Sequence, residues 1–187
     1  ALENAEKIQT IIVDKTGTLT EGKPEVTDIV PIEPISTQDL LQIAASLEQG
    51  SEHPLARAVL DSAQKMQLPL QSIEDFLAIT GSGIAARMNG VQYLLGSPKF
   101  LTQQSIIVDE KQITTLQTEG KTVIGIASTS GNNSKILGYL AIADRLRDTS
   151  LKAIERLQSM GIEVVMLTGD NAVTAAAIAK RTGITQY

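Results

Sequence analysis

Cysteine and tryptophan are both absent from this chain of 187 residues, and histidine occurs only once. Without cysteine there can be no disulfide, thiolate metal site or cysteine nucleophile, and one histidine provides no histidine cluster for a transition metal. Aromatic residues make up 3% of the sequence, so we expect a core of Ile, Leu, Val and Ala. The formal net charge of −5 does not indicate a nucleic-acid-binding face.

Long apolar runs are also missing. None approaches the roughly 18 residues that a membrane helix requires, and residues 1–7 lack the hydrophobic segment of a signal peptide. We therefore expect this chain by itself to be soluble and not inserted into a membrane. The apolar share of 42% and the charged share of 20% are ordinary for a globular protein, and the length suffices for one large core or two small ones.

The first informative stretch is Val13-Asp14-Lys15-Thr16-Gly17-Thr18-Leu19-Thr20. The apolar residues 11–13 predict a short strand, and ligands of open α/β sheets bind beyond the carboxyl ends of the strands. Asp14 could be an ordinary polar residue of the turn that ends this strand. Alternatively, it is a carboxylate nucleophile for a phosphoryl group, with Lys15 and Thr16 supplying charge and hydrogen bonds.

A second stretch also combines a predicted apolar strand with small polar residues and a carboxylate directly after it. The continuous apolar run 162–167 predicts a buried strand, Thr168-Gly169-Asp170 follows it, and an alanine-rich helix is predicted over 172–181. Thr168 and the amides near Gly169 could hold phosphate oxygens at the helix N-terminus. In the alternative interpretation, Asp170 or Asn171 is only a helix N-cap.

Together these stretches resemble a known family. Residues 13–20 resemble the phosphorylation signature of the P-type ATPases, which are ion pumps that form an aspartyl phosphate. Thr168-Gly169-Asp170 resembles the second phosphorylation motif of these pumps and of the wider haloacid dehalogenase superfamily. The resemblance implies that Asp14 accepts a phosphoryl group from ATP, and that Lys15, Thr16 and Thr168 hold this group. It also implies Mg²⁺ bound by Asp14 and by the main-chain carbonyl of Thr16.

A third stretch, Ser51-Glu52-His53-Pro54-Leu55-Ala56, predicts by itself only a helix that begins with a proline in its first turn. It resembles the nucleotide-domain signature of the heavy-metal branch of these pumps. The resemblance implies that His53 lies near the adenine of ATP and that Glu48, five residues earlier, hydrogen-bonds to this adenine.

Two further elements are weaker signals. Gly81-Ser82-Gly83 could serve backbone conformation alone, but the resemblance implies that Gly81 and Gly83 let the backbone approach the nucleotide phosphates. Asp144 and Arg147 could be a charge pair at a helix start, whereas the resemblance implies nucleotide contact. Ser97 stands where many relatives have asparagine, so the corresponding contact is expected to be weaker or replaced. No Walker sequence is present, so ATP is not held as in P-loop enzymes.

The order of the predicted elements indicates an insertion. Strands with antiparallel character, among them a hairpin at Asn89-Gly90, lie between two segments with parallel β-α-β character. We predict an α/β fold in which residues 1–25 and 136–187 form a haloacid-dehalogenase-like Rossmannoid parallel sheet, the phosphorylation domain. Residues 26–135 are predicted to form an inserted α+β nucleotide-binding domain on an antiparallel sheet. Residues 1–6 are predicted to end a short helix, and 130–134 to form a loop or a hairpin tip.

The resemblance implies a part of a heavy-metal pump, with copper favoured over zinc or cadmium by the Ser-Glu-His-Pro context. The chain ends before a later Gly-Asp-Gly-x-Asn-Asp motif, so it is expected to be a truncated cytoplasmic portion of an integral membrane protein. Its expected partners are ATP and the transmembrane and actuator domains of the parent pump, without nucleic acid, and a monomer is expected.

Two alternatives remain open at this point. One is a free-standing phosphatase with residues 26–135 as its cap domain. Thr16 argues against it, because hydrolytic members of the superfamily carry a second Asp at this position as general acid and base. The other is a nucleotide-binding module without catalytic activity.

Overall fold

The computed structural model describes residues 8–79, 81–130 and 133–187. The helix predicted over residues 1–6 and part of the loop predicted over 130–134 lie outside the described residues. The strands are β1 Thr10–Asp14, β2 Thr20–Pro31, β3 Glu74–Ile79, β4 Gly83–Met88, β5 Val91–Gly96, β6 Thr122–Ser130, β7 Asn133–Leu146 and β8 Glu163–Leu167. The helices are α1 Thr37–Glu48, α2 Pro54–Lys65, α3 Pro98–Gln103, α4 Glu110–Thr118, α5 Asp148–Ser159 and α6 Ala172–Thr182.

The chain divides into two compact units. Unit one contains the residues up to Lys23, the short segment 117–122 and residues 144–187. Unit two contains residues 24–116 and 123–143. None of the helices in the described part of the chain is long and apolar enough to cross a membrane.

Unit one is built around the parallel pair β1 and β8, in which Thr10 lies opposite Glu163 and Asp14 lies opposite Leu167. The helices α5 and α6 pack on this pair through a shared apolar core. This core contains Leu19, Leu146, Ile154, Val164, Met166, Ala175, Ile178, Ala179 and Ile184. Because the two strands are parallel and in register, their carboxyl ends lie side by side, which brings the residues after Val13 close to those after Leu167.

The ends of α6 follow the sequence rules for helix termini. Asn171 is the N-cap, and its side-chain oxygen accepts hydrogen bonds from the amides of Val173 and Thr174. Gly183 ends the helix in the left-handed conformation, which glycine adopts at little cost. Asn171 therefore takes the capping role, and the Asp170 side chain is available for other contacts.

Unit two is organised on a sheet with the strand order β2-β7-β6-β5-β4-β3, in which β3 to β6 pair antiparallel. Helices α1 and α2 cover one face, and α3 and α4 contribute to the apolar clusters on the other. Asn89 and Gly90 both have positive φ in the turn between β4 and β5. This turn confirms the predicted hairpin, since type I′ turns need positive φ at both central residues.

Two strands are longer than the sequence pattern predicts. The alternating residues predict strands over 25–32 and 136–142, whereas β2 already begins at Thr20 and β7 continues to Leu146. The interpretation of Asp144 as part of a helix start is therefore wrong, because Asp144 lies in β7 and α5 begins at Asp148. Hydrogen bonds from the first residues of β2 to the Asp144 carboxylate hold Asp144 beside β2. No local sequence pattern indicates these contacts.

Candidate active site

Asp14 is the last residue of β1, and its side chain is exposed. Within the described part of the chain its carboxylate takes part in no hydrogen bond or ion pair, although it precedes a turn that it could cap. The turn over residues 15–19 contains Gly17 at φ 77°, a conformation that favours glycine. Asp14 thus presents an unpaired carboxylate at the carboxyl end of a strand.

Thr20 fixes the shape of this turn. Its side chain is almost fully buried, and its hydroxyl accepts a hydrogen bond from the Gly17 amide at 3.1 Å. The same hydroxyl donates to Asp144 Oδ2 at 2.6 Å and lies 3.1 Å from the carbonyl oxygen of Lys15. The residues directly after Asp14 are therefore tied to the end of β7.

Asp144 and Arg147 complete this arrangement. The Asp144 carboxylate also accepts hydrogen bonds from the amides of Gly22 at 3.1 Å and Lys23 at 3.0 Å. Arg147 Nε donates to the carbonyl of Thr20 at 2.8 Å, and its Nη2 lies 3.4 Å from two further carbonyl oxygens of the same segment. Both side chains thus hold the segment that follows Asp14, and their predicted contact with a nucleotide stays a prediction.

Lys15 forms an ion pair with Asp170 that joins the ends of β1 and β8. Lys15 Nζ lies 2.5 Å from Asp170 Oδ2, and the two side chains are 15% and 9% exposed. The Thr168 hydroxyl donates to the same Oδ2 at 3.0 Å and accepts from the Asp170 amide at 3.1 Å. Lys15, Thr168 and Asp170 are therefore brought together, whereas a Cβ added at Gly169 would meet nothing within 4 Å.

One residue of this cluster carries no signal in the sequence. The Thr122 hydroxyl donates to Asp170 Oδ1 at 3.1 Å. The apolar pattern predicts Thr122 as the start of a strand, which is confirmed by β6. Its contact with a residue 48 positions later depends on long-range packing that no local pattern encodes.

Glu48 is a buried acidic side chain of unit two. It is 3% exposed at the end of α1, and its Oε2 is the only buried side-chain polar atom without a hydrogen-bond partner among the described residues. Burial raises the pKa of Glu48, and a hydrogen bond with the Ser51 side chain partly opposes that rise. An acceptor that is buried and unpaired fits a ligand that brings a hydrogen-bond donor.

His53 caps the helix that follows Glu48. Its Nδ1 accepts a hydrogen bond from the Leu55 amide at 3.2 Å, and Pro54 occupies the first helical position. In a neutral ring the accepting Nδ1 leaves the proton on Nε2. The ring itself is exposed, so Nε2 is free to meet solvent or a ligand.

The two glycines of the Gly81-Ser82-Gly83 stretch have different surroundings. Gly81 has φ 69° and open space where a Cβ would lie. At Gly83 a Cβ would lie 2.3 Å from the Leu95 carbonyl oxygen and 2.9 Å from Phe100, so packing alone requires glycine there. Ser97 caps α3 by accepting from the Phe100 amide at 3.2 Å.

In the described part of the chain, no three His, Cys, Asp or Glu side chains lie close enough together to hold a metal ion. A cation at Asp14 would therefore need main-chain, water or substrate oxygens as further ligands. Such a ligand set suits Mg²⁺, which commonly binds through one or two carboxylates, several waters and substrate phosphates.

Residues 8–187 match the family model of haloacid dehalogenase-like hydrolases. The chain therefore belongs to the haloacid dehalogenase-like hydrolase family, and the predicted α/β fold class is confirmed. The relatives that it resembles include heavy-metal P-type ATPases.

Copper-exporting P-type ATPase B of Archaeoglobus fulgidus is 43% identical over 187 residues, which are 100% of this chain and 26% of the relative. The probable copper-importing P-type ATPase A of Enterococcus hirae is 42% identical over 98% of this chain and 24% of the relative. The crystal structure of a zinc-transporting PIB-type ATPase in the E2.Pi state superposes with a TM-score of 0.72 at 38% identity, covering 100% of this chain and 30% of that one. The chain thus spans about a quarter of the length of these curated relatives.

Proposed function

We propose that this chain is the ATP-binding and phosphorylation part of a heavy-metal P-type ATPase, in which Asp14 accepts the γ-phosphoryl group of ATP. The register of β1 with β8 is the observation that carries the proposal. The register places the end of β1, which carries Asp14, beside the end of β8, which Thr168 follows. The Lys15–Asp170 ion pair connects the two motifs. Two motifs about 150 residues apart thereby bring together side chains of the types that bind phosphate.

The chemistry at Asp14 is a transfer between oxygens. A carboxylate oxygen of Asp14 forms a bond to the γ-phosphorus while the bond from this phosphorus to the β,γ-bridging oxygen of ATP breaks, and ADP leaves. Lys15 has three N–H donors, so its pairing with Asp170 leaves donors for phosphoryl oxygens. Mg²⁺, held by Asp14 and the Thr16 carbonyl, would offset the repulsion between carboxylate and phosphate.

In unit two, Oε2 of Glu48 is a hydrogen-bond acceptor without a donor. The exocyclic amino group of adenine could supply this donor, which supports a nucleotide site. We propose that Glu48, His53, Gly81 and Gly83 hold the nucleotide and that residues 26–135 are the nucleotide-binding domain. Residues 1–25 and 136–187 would then be the phosphorylation domain, and Asp144 and Arg147 would add contacts to the nucleotide.

The proposed setting is the cytoplasmic portion of a membrane pump, with transmembrane and actuator domains as partners. The named relatives transport copper or zinc, and the Ser-Glu-His-Pro context leads us to propose copper. We propose that this portion is a monomer.

The Asp14→Asn variant tests the proposal. With radiolabelled ATP and Mg²⁺, the wild-type chain should acquire an acid-stable label, and Asp14→Asn should lose it completely because an amide cannot accept the phosphoryl group. ATP affinity should change by less than about twofold, since Asp14 is not part of the nucleotide site. Thr10→Val, which alters an exposed residue at the other end of β1, is the matched control and should keep the label.

Other results would point elsewhere. A label that survives in Asp14→Asn contradicts Asp14 as acceptor. Rapid phosphate release from simple esters would favour a phosphatase, and ATP binding without any label in the wild type would favour a module without catalytic activity.

A further inference from the structure

The segment 117–122 leaves α4, belongs to unit one, and continues into β6. It is held against α6 at two points. The buried Thr174 hydroxyl donates to the carbonyl of Lys121 at 3.0 Å. A Cβ at Gly120 would lie 2.8 Å from the Ile178 side chain, and Gly120 has φ 78°, so only glycine fits this approach without strain.

The result of this docking is the position of Thr122. Its hydroxyl reaches Asp170 Oδ1 at 3.1 Å, whereas Asp170 Oδ2 receives Lys15 and Thr168. A carboxylate turns easily about its last torsion, which has a broad energy minimum. Donors on both oxygens fix the plane of the carboxylate, and the fixed plane directs Oδ2 at the Lys15 ammonium.

We infer that Thr122 is a positioning residue of the phosphoryl-transfer site: it orients Asp170 so that Asp170 holds Lys15 beside Asp14. The inference rests on the proposed function, since Lys15 matters for catalysis only if Asp14 accepts a phosphoryl group. Thr122 itself touches no reacting atom. It acts through Asp170. Thr122 is the last residue of the segment 117–122, so the position of this segment determines the position of its hydroxyl.

The direct test uses the whole 187-residue chain and NMR of the lysine ammonium groups. In the wild type, the Lys15 ammonium should give a protected ¹⁵N signal, which Lys15→Arg assigns by its loss. Thr122→Val removes the hydroxyl and keeps the shape of the side chain, so the protected signal should be lost or its exchange should accelerate at least about tenfold. Thr122→Ser keeps the hydroxyl and should retain the signal. Thr122→Ala provides the same comparison if valine prevents folding.

The second readout is the rate of aspartyl phosphate formation from ATP. Thr122→Val should lower the rate at saturating ATP roughly ten- to hundredfold, because small misplacements of site groups cost rates of this size. The dissociation constant for ATP should remain within about twofold of the wild type. Thr122→Ser should recover most of the rate, which a loss of folding stability alone would not explain.

The outcomes separate the two hypotheses. If the wild type is never phosphorylated, the proposed function fails, and the protection of Lys15 still decides whether Thr122 orients Asp170. If Thr122→Val keeps both the Lys15 signal and the phosphorylation rate of the wild type, the inference is refuted.

Discussion

Replacing Glu48 by glutamine should stabilise the protein above the raised pKa of Glu48 while it weakens nucleotide binding. Burial raises this pKa above its ordinary value of 4.5, so the folded chain binds the Glu48 proton more tightly than the unfolded chain does. The free energy of unfolding must then fall as the pH rises from below 4.5 through the raised pKa. Above that interval the folded chain carries the full cost of a buried charge.

The magnitude follows from the unpaired atom. A buried acceptor without a partner costs about 1–3 kcal/mol, and more when it is charged. Glutamine keeps the shape of the side chain and an oxygen for Ser51, but its new NH₂ group also lacks a partner, which offsets part of the gain. We therefore expect Glu48→Gln to raise the free energy of unfolding by about 1–2 kcal/mol at pH 8. This corresponds to roughly 2–8 °C in Tm for a chain of this size. At pH 4, where Glu48 is protonated in the folded chain, the gain should disappear.

Urea denaturation of wild type and Glu48→Gln at pH 4, 6 and 8 measures this difference, and calorimetric titration with ATP measures the binding. Loss of a hydrogen bond to a charged group should weaken ATP binding about tenfold or more. Glu52→Gln, an exposed glutamate four residues later, is the control and should change neither quantity. A Glu48→Gln variant that is less stable than wild type at pH 8, or whose advantage does not depend on pH, would refute the reasoning.

Two further predictions concern the packing within each unit. Thr20→Val should lower the free energy of unfolding by about 2 kcal/mol, because Asp144 loses a short hydrogen bond, whereas Thr20→Ser should cost less than half of this; equal losses in urea denaturation would contradict the role of the hydroxyl. Gly83→Ala should destabilise unit two by about 3 kcal/mol, since its Cβ would meet the Leu95 carbonyl oxygen. Gly81→Ala should cost only about 1 kcal/mol from its positive φ; the reverse order of the two glycine variants would show that the clash is relieved.

Local patterns sufficed for much of the fold. Asn89-Gly90 predicts its hairpin because few other dipeptides accept positive φ twice. The capping residues 36–39 and the apolar spacing from Leu40 to Leu47 predict α1, and the structure has this helix with Ser36 as its N-cap. These features depend on residues within one or two turns of each other, so the sequence carries their cause in a short window.

Contacts between distant residues could be predicted only where a motif marks both partners. Asp170 and Asn171 are both residues that favour N-caps, so the local sequence leaves open which of them caps α6. Asn171 caps the helix, because the Asp170 side chain is already paired with Lys15, 155 positions earlier. Thr122 belongs to no motif, and a threonine at the start of a strand has no unusual neighbours in sequence. Its role becomes visible only when the segment 117–122 is docked on α6.

Asp14 and Glu48 suit different tasks because their surroundings differ. Asp14 is exposed, so water solvates its charge at little cost and its oxygens remain available for reaction. Glu48 is buried, so its charge has a continuing cost that a donor from a ligand would remove. A site of this kind favours a base with an amino group over one that presents a carbonyl, since a second acceptor would leave both atoms unpaired. Exposure therefore fits Asp14 as a phosphoryl acceptor, and burial fits Glu48 as a group that selects adenine.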